Sequence, residues 1–187
     1  MKFIKTHLPG VMVIEPTVHL DERGFFLESY HQKKYQEAGI SEVFVQDNHS
    51  RSHRGVLRGL HLQKNYPQGK LVRVIEGEVF DVCVDVRVGS PTFGEWFGLN
   101  LSAENFKQLY IPPQFAHGFC VLSETVQFEY KCTEFYHPED EMGILWNDSD
   151  IGIKWPIKEA VLSRKDQGNL SLNKLINQLP CYGNSKI

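Results

Sequence analysis

The sequence predicts a mainly β protein, folded as an antiparallel sandwich or barrel with a few short helices. Short runs rich in Val, Ile and Phe recur through the middle of the chain, each about the length of one strand. Glycine, proline and polar clusters separate them at the intervals such folds use. Helical patterning is sparse and lies mostly toward the C-terminus.

In chain order, residues 32–38 followed by Gly39 read as a short helix stopped by glycine. Residues 71–75 and 78–87 read as strands, and Glu76-Gly77 between them predicts a tight hairpin turn. In the second run Phe80, Val82, Val84 and Val86 share one face; Val79, Asp81, Cys83, Asp85 and Arg87 share the other. That alternation predicts one face packed on a sheet and one facing something more polar. A two-residue turn would place Lys70 on the face of Asp81 and Cys83. Further strands are expected at 96–101, 107–111, 118–122 and 125–132. Residues 158–177, with Leu162, Leu170, Leu172, Leu175 and Ile176, are expected to form short helices. No repeat or linker-like run divides the chain. A single domain over 1–187 is expected, with an irregular tail from about 167.

A chain of 187 residues can bury a core without staples. The net charge of −3 and the lack of a basic stripe argue against nucleic acid as a partner. No segment has the length of a membrane span, and the start lacks a secretory apolar run. Cys83, Cys120, Cys132 and Cys181 have no metal-like spacing and read as reduced thiols. A cytoplasmic protein is expected.

The densest chemistry is Arg54-Gly55-Val56-Leu57-Arg58-Gly59-Leu60-His61-Leu62-Gln63, followed by Gly69-Lys70-Leu71-Val72-Arg73. A proton acceptor beside fixed positive charge suits removal of a proton from carbon in an anionic substrate. The bland alternatives are a hydrogen-bonded core histidine and a solvated basic surface. Against them, Arg58 and Lys70 would not be buried without an anionic partner. A phosphate or an enolate oxygen would be one.

Metal chemistry fits less well. Metal-binding cupin barrels use a His-x-His pair, and here the matching place reads His61-Leu62-Gln63. His117 could supply a late ligand, but no carboxylate stands at the right spacing. His49 and His53 lie in a polar, loop-like segment and read as surface or pocket-rim residues. Asp21-Glu22-Arg23-Gly24-Phe25-Phe26-Leu27-Glu28 is either a strand or turn with a solvated edge, or a nucleotide grip of aromatic faces with an arginine for phosphate. Gln46-Asp47-Asn48-His49-Ser50 is either a plain loop or a row of groups that reads a base or sugar edge. Tyr130, in a late strand, is either core or a phenol that donates a proton into a polar cavity.

Taken together these motifs resemble the dTDP-4-dehydrorhamnose 3,5-epimerases, cupin-fold enzymes of dTDP-L-rhamnose biosynthesis. The resemblance runs from Glu15 to about Asp166. Besides the segments above it includes Ser90-Pro91-Thr92-Phe93-Gly94, Phe115-Ala116-His117-Gly118-Phe119, Tyr130-Lys131 and Gly143-Ile144-Leu145-Trp146-Asn147-Asp148. It implies a cupin-like jelly roll that inverts C3 and C5 of dTDP-4-dehydro-6-deoxy-D-glucose, with no metal and no organic cofactor. It implies His61 as general base, Asp166 as the carboxylate paired with it, Lys70 at the developing enolate oxygen and Tyr130 as proton donor. Substrate contacts would fall to Arg23, Phe26, Glu28, Gln46, Asp47, Asn48, Arg58, His117, Glu141 and Lys165. The family forms homodimers to which N-terminal strands contribute. A 3-epimerase, a 5-epimerase or a 3,4-ketoisomerase on the same nucleotide sugar would need similar groups.

Overall fold

The computed structural model describes residues 1–183 and is mainly β. Six strands form one antiparallel sheet: β1 (Lys2–Lys5), β2 (Met12–Glu15), β10 (Gln108–Ile111), β7 (Lys70–Glu76), β12 (Thr125–Cys132) and β5 (Gln46–His53), in that spatial order. A second sheet has the order β13 (Glu141–Gly143), β6 (Leu57–Gln63), β11 (Phe115–Val121), β8 (Glu78–Asp85) and β9 (Trp96–Ser102). A separate hairpin, β3 (Val18–Asp21) with β4 (Gly24–Leu27), carries exposed Leu20, Phe25 and Phe26. Among the described residues there are three short α-helices, α1 (Gln32–Glu37), α2 (Arg164–Gln167) and α3 (Leu172–Leu175), and 3₁₀ turns at Pro138–Asp140 and Ile176–Gln178. Among the described residues no helix is long and apolar enough to cross a membrane.

The two large sheets face each other over one apolar cluster. Val72, Val74, Leu109, Val126 and Phe128 enter it from the first sheet; Val79, Cys83, Leu101, Phe119 and Val121 enter from the second. Each sheet also buries part of its outer face. Tyr35 of α1, with Ile40, covers Met12, Ile14, Leu71 and Tyr110 on the first. Leu172, Leu175 and Leu179 cover Leu62, Val82 and Val84 on the second. The stretch after 167 therefore closes a core face.

Two expectations fail here for one reason. Residues 70–76 and 78–85 are strands, but they do not pair with each other; they belong to opposite sheets. Only Gly77 separates them, which is too short for a two-residue turn. The chain turns a corner there with Gly77 at φ +81°, where a Cβ would collide with the Thr125 carbonyl oxygen and the Ser123 hydroxyl. Glu78 N–H donates to Ser123 Oγ at 2.8 Å and pins the corner. The apolar face of β8 consequently packs on the C-terminal segment and not on a sheet, while the face with Asp81 and Cys83 looks into the sandwich. Lys70 still shares surroundings with Asp81, but across the sandwich.

The segment read as loop-like around His49 and His53 is strand β5. It pairs with β12 over eight residues, from Gln46↔Cys132 to His53↔Thr125. Its side chains alternate between exposed and half-buried almost throughout, with Ser52 buried. Polar residues therefore suit both faces, and His49 and His53 are exposed.

At the end of β8, Asp85 is fully buried and accepts from Arg87 Nε and Nη2 at 2.8 and 2.7 Å, and from Ser90 Oγ and Thr92 Oγ1 at 2.6 Å each. Burial pushes the carboxyl pKa up, but these donors outweigh it and hold Asp85 below the usual carboxylate range. Asp85→Ala is expected to cost about 3–5 kcal/mol at neutral pH, because it strands the guanidinium of Arg87. A carboxyl whose folded pKa is depressed stabilises above its unfolded pKa of about 3.9 and loses that contribution as pH falls through the folded value. Urea midpoints of variant and wild type should therefore draw together as pH falls below about 3.9 and through the folded value.

Candidate active site

β6 and β11 are neighbours in the second sheet, and His61 lies directly opposite His117. The register then slips by a bulge before Phe119↔Arg58. The strands can come this close because two glycines meet. A Cβ on Gly59, at φ +124°, would stand 2.6 Å from Gly118 Cα and 2.8 Å from the His117 carbonyl oxygen. The opposing sheet supplies Lys70 from the start of β7 and Tyr130 from β12, where Tyr130 lies opposite Val72. The Lys70 ammonium sits 6.0 Å from the centroid of the Tyr130 ring.

These side chains line a cavity of about 400 Å³, together with Ser50, Arg58, Phe119, Lys165 and Asp166. One wall comes from the C-terminal segment. Val161 bridges Val56 in parallel, with Val161 N–H to Gly55 O at 2.8 Å and Leu57 N–H to Val161 O at 3.0 Å. Ser163 then caps α2, its Oγ accepting from Asp166 N–H at 3.0 Å. That cap aims Asp166, only 3% exposed, at His61: Nε2 to Oδ1 is 2.5 Å. The contact commits Nε2–H to the carboxylate and leaves Nδ1 as the free basic nitrogen.

Charge is set by burial and by neighbours. Burial would raise the Asp166 pKa, but the hydrogen bond and charge of His61, with Ser163, hold it below the usual range. Burial pulls Lys70 below the ordinary lysine value, opposed by Cys132, Glu141 and Asp81. Burial pushes the Tyr130 phenol up to about 12, so it stays protonated at neutral pH. His117 Nε2 contacts both oxygens of fully buried Asp81, at 3.1 and 2.9 Å. The Asp81 pKa is raised by burial against the pull of His117 and Lys70.

The sequence profile of the dTDP-4-dehydrorhamnose 3,5-epimerases matches residues 5–174. The chain belongs to this family. An epimerase of that description from Shigella flexneri is 59% identical over 168 residues, covering 89% of this chain and 93% of the relative. The crystal structure of a 3,5-epimerase from Legionella pneumophila, in complex with dTDP-4-keto-L-rhamnose, superposes with a TM-score of 0.94. It is 52% identical and covers 97% of this chain and 98% of that one. A dTDP-4-dehydrorhamnose 3-epimerase from Streptomyces niveus is 40% identical, covering 88% of this chain and 81% of the relative. The chain is thus an epimerase of the dTDP-rhamnose pathway's family, on that family's β-sandwich.

Within this family member, His61, Lys70, Tyr130, Asp166, Arg58, His117 and Lys165 converge on one cavity. Arg58 is steadied by Ser52 Oγ, at 3.1 and 3.0 Å from Nε and Nη2. Glu141 stands beside the cavity, Oε1 3.7 Å from His61 Nδ1. Gln46, Asp47 and Asn48 sit at the start of β5: Gln46 bonds Asn48, Asn48 bonds Cys132 Sγ, and Asp47 pairs with Lys131. Arg23, Phe26 and Glu28 do not line this cavity. Arg23 pairs with Asp21, Glu28 pairs with Lys34, and Phe26 is 70% exposed. Asp81, Ser52, Ser163 and Tyr136 were not singled out from sequence as site residues. Asp81 was visible only as a polar residue interrupting an apolar strand.

Proposed function

We propose that this chain converts dTDP-4-dehydro-6-deoxy-D-glucose to dTDP-4-dehydro-L-rhamnose by inverting C3 and then C5, or the reverse order, through 3,4- and 4,5-enolates. Both hydrogens are α to the C4 ketone, so removing either puts negative charge on the C4 oxygen. His61 Nδ1 takes the proton, and Asp166 orients the ring and stabilises the imidazolium. Lys70 meets the charge at oxygen. Tyr130 delivers a proton to the opposite face, which inverts the centre. The observation that carries this reading is the placement of base and acid on opposing sheets across one cavity, with Lys70 between them in the charge balance.

Arg58, His117, Glu141 and Lys165, with Gln46, Asp47 and Asn48 on β5, are read as substrate contacts. Arg23, Phe26 and Glu28 would act from a second copy of the chain. The β3–β4 hairpin presents exposed Leu20, Phe25 and Phe26, an apolar surface suited to burial in a homodimer. Free, reduced cysteines, three of them buried, fit a cytoplasmic setting.

A second reading is a 3-epimerase, favoured by the Streptomyces niveus relative. Turnover in deuterated water separates the two. The double inversion is expected to place deuterium at both C3 and C5, with the L-lyxo sugar as product by NMR. Exchange and inversion at C3 alone would make the chain a 3-epimerase.

A further inference from the structure

Two inversions by one base raise a problem that a single inversion does not. Each moves a proton from carbon to His61 and another from Tyr130 to the opposite face of that carbon. His61 is left as imidazolium and Tyr130 as phenolate. A second inversion needs both reset, while the sugar that fills the cavity covers the working side of His61.

Glu141 flanks that working side at the edge of the cavity. β13 runs along β6 with Gly143 opposite His61 and Glu141 opposite Gln63, so Glu141 lies on the face of His61, two residues along. Its Oε1 is 3.7 Å from Nδ1, the nitrogen left free by Asp166. Its Oε2 accepts from Tyr136 Oη at 2.5 Å and from Lys165 Nζ at 2.6 Å. The Glu141 side chain is 12% exposed, whereas Lys165 and Tyr136 are 55% and 49% exposed. Glu141 thus stands between the base, 3.7 Å away, and the exposed Tyr136–Lys165 rim. Asp166 cannot do this, because it is buried and holds the other nitrogen.

We propose that Glu141 resets His61 between the two inversions by relaying the proton from Nδ1 to solvent at the Tyr136–Lys165 rim. The Nδ1–H bond breaks as an Oε1–H bond forms, and the carboxyl then loses the proton to water. Tyr130 phenolate takes its replacement from water, so charge balances. Burial works against the ionised carboxylate, but Lys165, Tyr136 and His61 outweigh it and hold Glu141 below the usual carboxylate range. The proton passes through and does not rest there.

This inference rests on His61 being the base. Its test uses Tyr130→Phe enzyme saturated with dTDP-4-dehydro-6-deoxyglucose in deuterated water. There His61 both removes and returns the proton on one face, so loss of the C3 and C5 proton signals reports its exchange with solvent. Adding Glu141→Gln is expected to slow that loss by about tenfold or more, and added imidazole buffer is expected to restore it. Glu141→Asp, which keeps a carboxylate, is expected to retain washout within about threefold. With Tyr130 intact, Glu141→Gln should lower kcat by a larger factor than it raises KM, and release singly inverted sugar. Washout as fast in the double variant as in Tyr130→Phe, a loss confined to KM, or a loss that no buffer restores would overturn the relay. Washout that survives in Tyr130→Phe/His61→Ala would instead overturn His61 as base, and the relay with it.

Discussion

Replacing His61 with alanine is expected to lower turnover by about 10³- to 10⁴-fold and leave the fold intact. The size follows from the site's chemistry. His61 and His117 both line the cavity with Nε2 held by a carboxylate, but the His61 side chain is 27% exposed on the cavity wall and that of His117 only 8%. His117, its cross-strand neighbour, has Nε2 tied to both oxygens of Asp81. Lys70 cannot both meet the enolate oxygen as an ammonium and accept the proton from carbon. The fold survives because His61 belongs to none of the apolar clusters and its side chain is 27% exposed on the cavity wall. Asp166 then loses the partner that lowered its pKa and can protonate in place. The check is the NMR epimerisation assay alongside a thermal melt. Activity within tenfold of wild type in a folded variant would remove His61 from the base role.

What the sequence disclosed depended on which physical signal each segment carried. β12 matches its expected span, and β9 departs by one residue, because apolar residues in both point toward buried clusters. β5 was invisible as a strand: its two faces meet solvent and polar surroundings, so it has no hydrophobic period to read. β6 was hidden by Arg58, Gly59 and His61, which break its apolar pattern, and Gly59 is the residue that permits the close approach to Gly118. Gly77 announced a turn but not which sheet the chain would enter next. Pairing partners are fixed by packing, which local pattern does not encode. In the site, Arg58, His61 and Lys70 stood out because they are close in sequence. Asp166 lies 105 residues from His61, and its role came only through family resemblance. The position of Glu141 at Nδ1 depends on the pairing of β13 with β6, which no local motif signals.

Tyr130→Phe should separate two events that wild-type turnover joins. The expected loss of inversion is about 10²- to 10³-fold, while exchange of the C3 and C5 protons with solvent persists. Phenylalanine keeps the ring against Phe128, 6.0 Å away, and under the Lys70 ammonium, so packing and enolate stabilisation remain. Only the proton for the opposite face is lost. An enolate formed by His61 and held by Lys70 then regains a proton from His61 on the original face, giving exchange with retention. In deuterated water the starting sugar should lose its C3 and C5 signals faster than product appears; product at the wild-type rate would exclude Tyr130 as the acid. The phenol pKa adds a constraint of sign. Burial pushes it up to about 12, above the usual tyrosine value of about 10. An acid with a raised pKa stays protonated as pH rises, so wild-type inversion should not fall through loss of this proton until pH passes the ordinary tyrosine range. An alkaline limb well below that range would have to come from another group, and the Tyr130→Phe profile would show it unchanged.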